Sequence, residues 1–135
     1  MSHLIISVVL TWTVVNILKP VIIWIKEGRI NRDTIVRNGG MPSGHTALVS
    51  SLTMALFLET GLSALFLVAL VLTFVVIYDA VSIRMIIERQ SKIINQLTHN
   101  REEFPRLVES VGHTPLEVGV SLILSIIIPL LVYQF

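Results

Sequence analysis

The chain has 135 residues, of which 53% are hydrophobic and only 14% are charged, and its mean hydropathy is +0.81. A composition this apolar excludes an ordinary soluble domain and indicates one small membrane domain that covers residues 1–135. The net charge of +1 does not indicate a nucleic-acid partner. The absence of cysteine excludes disulfides, thiolate metal sites and a cysteine nucleophile.

Four apolar stretches predict an all-α polytopic bundle with about four transmembrane helices, because a helix rises about 1.5 Å per residue and the hydrocarbon core is about 30 Å thick. The predicted helices cover about residues 4–25, 44–58, 62–78 and 115–133. Between residues 79 and 97, isoleucines recur at spacings of three, four and seven, which predicts an extension of the third helix or a separate amphipathic helix. Its charged residues Glu88, Arg89 and Lys92 are interpreted as a solvated face at the membrane surface.

The basic residues predict the orientation of this multi-pass protein. Apart from Lys19, they lie in the connectors after the first and third helices, which four spans place on the same side. By the positive-inside rule that side is cytoplasmic, and both termini lie on the opposite side. The first of these connectors holds Lys26, Arg29, Arg32 and Arg37.

A first polar motif, Gly39-Gly40-Met41-Pro42-Ser43-Gly44-His45, directly precedes an apolar helix. The first turn of a helix carries unpaired amides and the positive end of the helix dipole, so this segment predicts an anion site. Gly44 lets a ligand approach the backbone. Ser43 and His45 add side chains that can hydrogen-bond a phosphate oxygen.

A second motif, Gly112-His113-Thr114-Pro115-Leu116-Glu117, precedes the last apolar helix. His113 and Glu117 are four residues apart, so the carboxylate can accept a hydrogen bond from one imidazole nitrogen and leave the other free as a nucleophile. His45 could then protonate a departing alkoxide. Either motif alone also fits a connector with a structural histidine, and metal binding fits less well because no short-spaced histidine pair is present.

Lys19 lies inside the first apolar stretch, next to Pro20. Two interpretations stay open: the side chain snorkels to the membrane interface, or it points into a polar cavity.

Together with Tyr78-Asp79-Ala80-Val81-Ser82-Ile83-Arg84 and with Gln90 and Asn95, these two motifs resemble the divergent branch of the type 2 phosphatidic acid phosphatase and vanadium haloperoxidase-related superfamily. The resemblance runs from Lys19 to the last helix. It implies hydrolysis of a lipid phosphate or diphosphate without a metal or cofactor, through a phosphohistidine. By the same resemblance His113 is the nucleophile, His45 protonates the leaving group and Glu117 orients His113.

The resemblance also implies the residues that hold the phosphate. They are Ser43 and Gly44 with the cations Lys19 and Arg84, while Asp79 organises the cations and Asn95 and Gln90 support the site. The chain departs from the larger superfamily at position 107, where leucine replaces an arginine, and at Glu117, which replaces aspartate. Because larger relatives have six membrane helices, a homodimer that covers exposed faces is also expected.

Two other functions stay open on the sequence alone. One is a non-catalytic membrane protein that binds or moves anionic phospholipid and keeps the pocket only for phosphate binding, as the leucine at position 107 would suggest. The other is a structural membrane subunit in which the two motifs are merely connectors.

Overall fold

The computed structural model describes residues 2–28, 40–99, 101 and 103–135, and over these residues the protein is helical without a β-strand. The helices are α1 (Ser2–Glu27), α2 (Gly44–Thr60), α3 (Ala64–Tyr78), α4 (Arg84–Leu97) and α5 (Pro115–Val132). The predicted all-α class is therefore confirmed. The predicted connector residues Arg29, Arg32 and Arg37, and Gly39 of the first motif, lie outside the described residues.

A π-helical turn at Asp79–Ile83 joins α3 to α4. Ala64–Leu97 is consequently one continuous helix of 34 residues, about 51 Å long at 1.5 Å per residue. The amphipathic segment thus extends the third predicted helix. The hydrocarbon core of a membrane is about 30 Å thick. If this helix crosses a membrane, part of it therefore projects beyond the hydrocarbon core.

Three helical segments in the described part of the chain are long and apolar enough to cross a membrane: Ser2–Ile25, Ala64–Leu97 and Pro115–Val132. α2 is shorter, with 17 residues, and it occupies the centre of the bundle, where it packs against α1, α3 and α5. The other helices are therefore arranged around α2.

The centre of the bundle is built from small side chains. The buried residues of α2 are Thr46, Ala47, Ser50, Ser51, Thr53 and Ala55. On α1, Ser7, Thr11 and Val15 are buried at a spacing of four, which places them on one face of the helix. Small residues let helix backbones approach closely, which is how helices associate where the surrounding lipid is as apolar as the core.

Hydroxyl groups in this core bond across helices. The Ser125 hydroxyl of α5 lies 3.1 Å from the carbonyl oxygen of Ala47. The hydroxyls of Thr53 and Thr73 lie 2.9 Å apart and join α2 to α3. A polar group in a membrane interior is costly unless it is paired, so these contacts make a hydroxyl-rich core compatible with an apolar surrounding.

The large apolar side chains lie on the outside of the bundle. Ile17, Val68, Val71, Phe74 and Ile123 are all more than half exposed. This distribution is the reverse of that in a soluble protein and is typical of helices whose outer faces contact lipid.

At one end of the bundle the start of α1 meets the end of α5. The rings of His3 and Tyr133 are 5.4 Å apart in an edge-to-face arrangement. The Tyr133 hydroxyl donates to the carboxylate of Glu59, at the end of α2, over 3.0 Å. The two histidine motifs lie at the opposite end, where α2 and α5 begin.

Enlarging a buried alanine should destabilise the bundle more than enlarging an exposed one. Ala55 is fully buried in α2, so Ala55→Leu should lower the free energy of unfolding by about 1–3 kcal/mol through overpacking. Thermal unfolding in detergent micelles measures this effect. Ala64→Leu, at an exposed position at the start of α3, is the matched control and should leave the midpoint unchanged. Equal behaviour of the two variants would contradict the packing of α2.

Candidate active site

The start of α2 presents free amides to solvent. Ser43 is the N-cap, and its hydroxyl oxygen accepts from the Thr46 amide and hydroxyl. Within the described residues, the amides of Gly44 and His45 have no hydrogen-bond acceptor. A Cβ placed on Gly44 would meet nothing within 4 Å. This helix start can therefore receive an anion directly on its backbone.

Ser43 itself is fully buried. Its amide donates to the Ser121 hydroxyl of α5 over 2.6 Å, and that hydroxyl in turn donates to the carbonyl oxygen of Glu117 over 2.9 Å. Ser121 thus links the two motifs, a connection that sequence reasoning missed. The only signal in the sequence was its position one helical turn after Glu117, on the same face.

The second motif forms a capped helix start. Thr114 is the N-cap of α5, and Pro115 occupies the first turn, where a missing amide hydrogen costs nothing. The Thr114 hydroxyl accepts from the Glu117 amide, and the Glu117 carboxylate accepts from the Thr114 amide over 3.0 Å. This capping box holds the Glu117 side chain next to His113, the residue that precedes Thr114.

His113 has one engaged nitrogen and one unengaged nitrogen. Nδ1 lies 3.3 Å from the same oxygen of Glu117 that binds the Thr114 amide, and the carboxylate makes Nδ1 the protonated position. Nε2 is buried and has no hydrogen-bond partner among the described residues. The free lone pair of the neutral imidazole is therefore on Nε2, and no described residue donates a hydrogen bond to it.

Burial favours the neutral form of the His113 ring. Burial is the main cause that lowers the pKa of His113 below its usual value of 6.5, and the positive charges of Lys19 and Arg84 lower it further. The Glu117 carboxylate opposes them and raises the His113 pKa. Because the net direction is downward, His113 is neutral at physiological pH, as a nitrogen nucleophile requires.

The π-helical turn at Asp79–Ile83 positions Arg84, one of the two predicted phosphate-binding cations. The Arg84 guanidinium donates to Asp79 over 2.5 Å, across the five residues that the wider turn spans. The carbonyl oxygen of Ala80, in the same turn, accepts the His113 amide over 3.1 Å. One irregular turn thus holds both Arg84 and the backbone of His113, and such turns are frequent at functional sites.

Lys19 and His45 complete the cluster. A Cβ on Gly40, where φ is 101°, would lie 3.7 Å from the Lys19 side chain, so Lys19 runs along the first motif. The His45 side chain is exposed, and the charges of Arg84, Lys19 and Asp79 act on its imidazole. Both histidines therefore lie in the field of the same two cations.

Two predicted supporting residues lie elsewhere. Asn95 is about 16 Å further along the helix than Arg84 at 1.5 Å per residue. Its side chain binds the amide and carbonyl of Leu107 and the carboxylate of Glu109, so it holds the loop before His113. The Gln90 side chain is exposed and makes no hydrogen bond within the described part of the chain.

The interpretation of Glu88 as part of a solvated face was wrong. Its side chain is only 17% exposed, and it accepts the amides of Val111 and Gly112. Arg84, Glu88, Ser91 and Asn95 are separated by three or four residues and therefore lie on one face of the helix. The isoleucines of α4 face outward, so this polar face is the packed one.

Arg106 does not replace the arginine missing at position 107. Its side chain is 83% exposed and pairs with Glu109 at 3.9 Å. No cluster of three or more His, Asp or Glu side chains that could hold a metal ion occurs among the described residues.

The chain belongs to the Divergent PAP2 family, whose profile matches residues 1–128. The sequence is also 28% identical over 137 residues to the uncharacterized membrane protein YuiD of Bacillus subtilis (strain 168), an alignment that covers 89% of this chain and 87% of that protein. No solved structure matches the chain. Family membership confirms the resemblance seen in the motifs, and with the apolar helices it identifies an integral membrane protein.

The loop before His113 leaves no room for a side chain at Gly112. A Cβ there would lie 3.0 Å from the Met85 Cα and 2.6 Å from its sulfur. Gly112→Ala should therefore lower the free energy of unfolding by about 1–3 kcal/mol. Gly119→Ala, in α5 with open space around it, should raise it by about 0.5–1 kcal/mol. Thermal unfolding of both variants in one detergent tests this, and a stable Gly112→Ala protein would refute the packing of the loop on α4.

Proposed function

We propose that the protein is a membrane-integrated, metal-independent phosphatase that hydrolyses a lipid phosphate or diphosphate through a phosphohistidine. The observation that carries the proposal is the state of His113. Its Nδ1 is committed to Glu117, its Nε2 has no partner in the described chain, and two cations act on the ring. A neutral, oriented imidazole among cations fits attack on a phosphorus atom.

In the first step, the Nε2 lone pair of His113 attacks phosphorus, and the bond between phosphorus and the leaving oxygen breaks. His45 donates a proton to that oxygen, so the lipid alcohol, or the lipid monophosphate when the substrate is a diphosphate, leaves in a stable form. Glu117 keeps the proton on Nδ1 of His113 and stabilises the positive charge that the ring acquires.

In the second step, water attacks the phosphohistidine. His45, now neutral, accepts a proton from the water as the phosphorus–nitrogen bond breaks. Inorganic phosphate leaves and the Nε2 lone pair of His113 is restored. At the end of one turnover His45 is again protonated and His113 is again neutral.

The negative charge of the transferring group needs fixed positive partners more than any other device. We assign this role to Lys19 and Arg84, with the free amides of Gly44 and His45. Ser43 is fully buried but donates no hydrogen bond to any described acceptor, so its hydroxyl hydrogen can bind a phosphate oxygen once neighbouring side chains move. Asp79 holds Arg84 in place.

A second candidate is a protein that binds anionic phospholipid without hydrolysing it. The burial of His113 Nε2 favours it, because a phosphate reaches this atom only after neighbouring side chains move. The loop also lacks an arginine at position 107. This candidate predicts phosphate binding without release of inorganic phosphate.

We further propose that α2 is a fourth transmembrane span. The two histidine motifs can share one end of the bundle only if α2 crosses, and the contact between His3 and Tyr133 at the other end agrees with an even number of spans. The loop before His113, which carries Arg101 and Arg106, then lies on the cytoplasmic side by the positive-inside rule. A homodimer that covers the exposed apolar faces completes the proposal.

Removal of the nucleophile should abolish turnover. Purified protein in detergent, with chelator present, is assayed for phosphate release from a panel of lipid mono- and diphosphates. We expect His113→Ala to retain less than about 1% of the parent rate. His3→Ala, at the opposite end of the bundle, is the matched control and should keep full activity. No release by the folded parent, with lipid phosphate still bound, would favour the binding protein instead.

The pH dependence should identify His113 as the group that must be neutral. Activity is lost as the pH falls through the His113 pKa, which lies below 6.5 because of burial and the nearby cations. Glu117→Gln removes the charge that raises this pKa, so the acidic limb should move to lower pH while the maximal rate falls. Profiles of kcat/KM measure both changes. An acidic limb that moves upward would contradict the assignment.

The orientation can be tested with single cysteines, since the natural chain has none. Ser2 is exposed at the start of α1, Leu62 is 78% exposed after α2, and Val108 is 59% exposed before α5. With four spans, a membrane-impermeant maleimide should label Ser2→Cys and Leu62→Cys in intact cells and Val108→Cys only after permeabilisation. Labelling of Ser2→Cys and Leu62→Cys from opposite sides would show that α2 does not cross.

A further inference from the structure

The carboxylate of Glu88 binds the backbone immediately before His113. Its Oε2 accepts the amide of Val111 over 3.3 Å and that of Gly112 over 3.2 Å. Its Oε1 accepts from the Lys92 ammonium over 2.7 Å. Two consecutive amides thus meet at one oxygen of the Glu88 side chain.

The next amide along the chain is held by the same helix. The amide of His113 donates to the carbonyl oxygen of Ala80, and Met85 lies against Gly112 between the two anchors. Three consecutive amides therefore bind one continuous helix, two of them through Glu88. The backbone position from which the His113 side chain projects is set by these bonds on one side and by the cap of α5 on the other.

The helix that holds this backbone also carries Arg84, one turn before Glu88. A displacement of residues 111 and 112 would move the His113 imidazole relative to Arg84 and to the start of α2. The Glu88 carboxylate bonds to the two amides and to Lys92, and not to the side chain of His113 or His45. Its influence on His113 must therefore pass through the backbone.

We propose that Glu88 is a positioning residue of the phosphatase reaction, which sets the distance between the His113 nucleophile and the cation-bound phosphate. This inference rests on the proposed function. It assigns Glu88 a role through geometry rather than through charge, because what the amides require is an oxygen at the correct reach.

Geometry and charge make opposite predictions for two conservative variants. Glu88→Gln keeps the length and one carbonyl oxygen, so it should hold the amides and retain kcat within about threefold of the parent. Glu88→Asp keeps the charge but is one methylene shorter, so it should lower kcat at least tenfold, as should Glu88→Ala, with KM changed less than about twofold. Retained activity in the aspartate variant with loss in the glutamine variant would overturn the geometric role.

A matched control separates positioning from general support of the loop. Glu109 lies in the same loop and accepts a hydrogen bond from the same helix, through Asn95 over 2.7 Å. Glu109→Ala should lower the unfolding midpoint but leave kcat per folded molecule within about twofold of the parent. If Glu88→Ala behaves in the same way, Glu88 only supports the loop and the proposal is wrong.

The ¹⁵N resonances of the His113 imidazole report its position without turnover. Glu88→Ala should shift them, because the ring leaves its hydrogen bond to Glu117, and Glu109→Ala should not. A folded parent that releases no phosphate would refute the proposed function, whereas these resonances would still decide whether Glu88 positions the ring. Unchanged resonances in Glu88→Ala would refute the positioning role whether or not the parent is active.

Discussion

The hydrogen bond between Glu117 and His113 is the contact on which the site depends. One carboxylate oxygen of Glu117 accepts from the Thr114 amide and from the His113 ring. The same side chain therefore caps α5 and orients the imidazole. A capping box occurs at many helix starts that have no catalytic role. What distinguishes this one is the buried ring beside it, with an unengaged nitrogen and two cations acting on it.

The small-residue core explains how this end of the bundle is assembled. Hydroxyl side chains on both helices and alanines on α2 allow close approach of α2 and α5. The Ser121 hydroxyl joins their first turns through Ser43 and Glu117. The two motifs are 68 positions apart in sequence, from His45 to His113. Close packing of α2 and α5 brings them into the field of the same cations.

The helix starts could be predicted from the sequence because their signals are local. Ser43 and Thr114 are N-caps, Pro115 suits the first turn, and Glu117 lies at the capping distance from Thr114. Each of these preferences comes from backbone amides that need a partner within a few residues. The approximate positions of α2 and α5 follow from the same signals.

The role of Glu88 could not be predicted in this way. Periodicity shows that α4 has an apolar and a polar face, but it does not show which face packs. In a soluble protein the isoleucines would be inside, whereas here they are outside and Glu88 binds the loop. The π-helical turn was also hidden, because no Gly or Pro marks it and its geometry depends on the Asp79–Arg84 pair and the distant His113 amide.

The phosphohistidine intermediate can be trapped directly. The protein is mixed with a turned-over lipid phosphate, quenched in base to preserve phosphohistidine, digested, and analysed by mass spectrometry. The proposed mechanism predicts one phosphoryl group on the peptide that contains His113 in the parent protein, and none on that peptide in His113→Ala. Phosphate release with the label on His45, or with no labelled histidine, would contradict it.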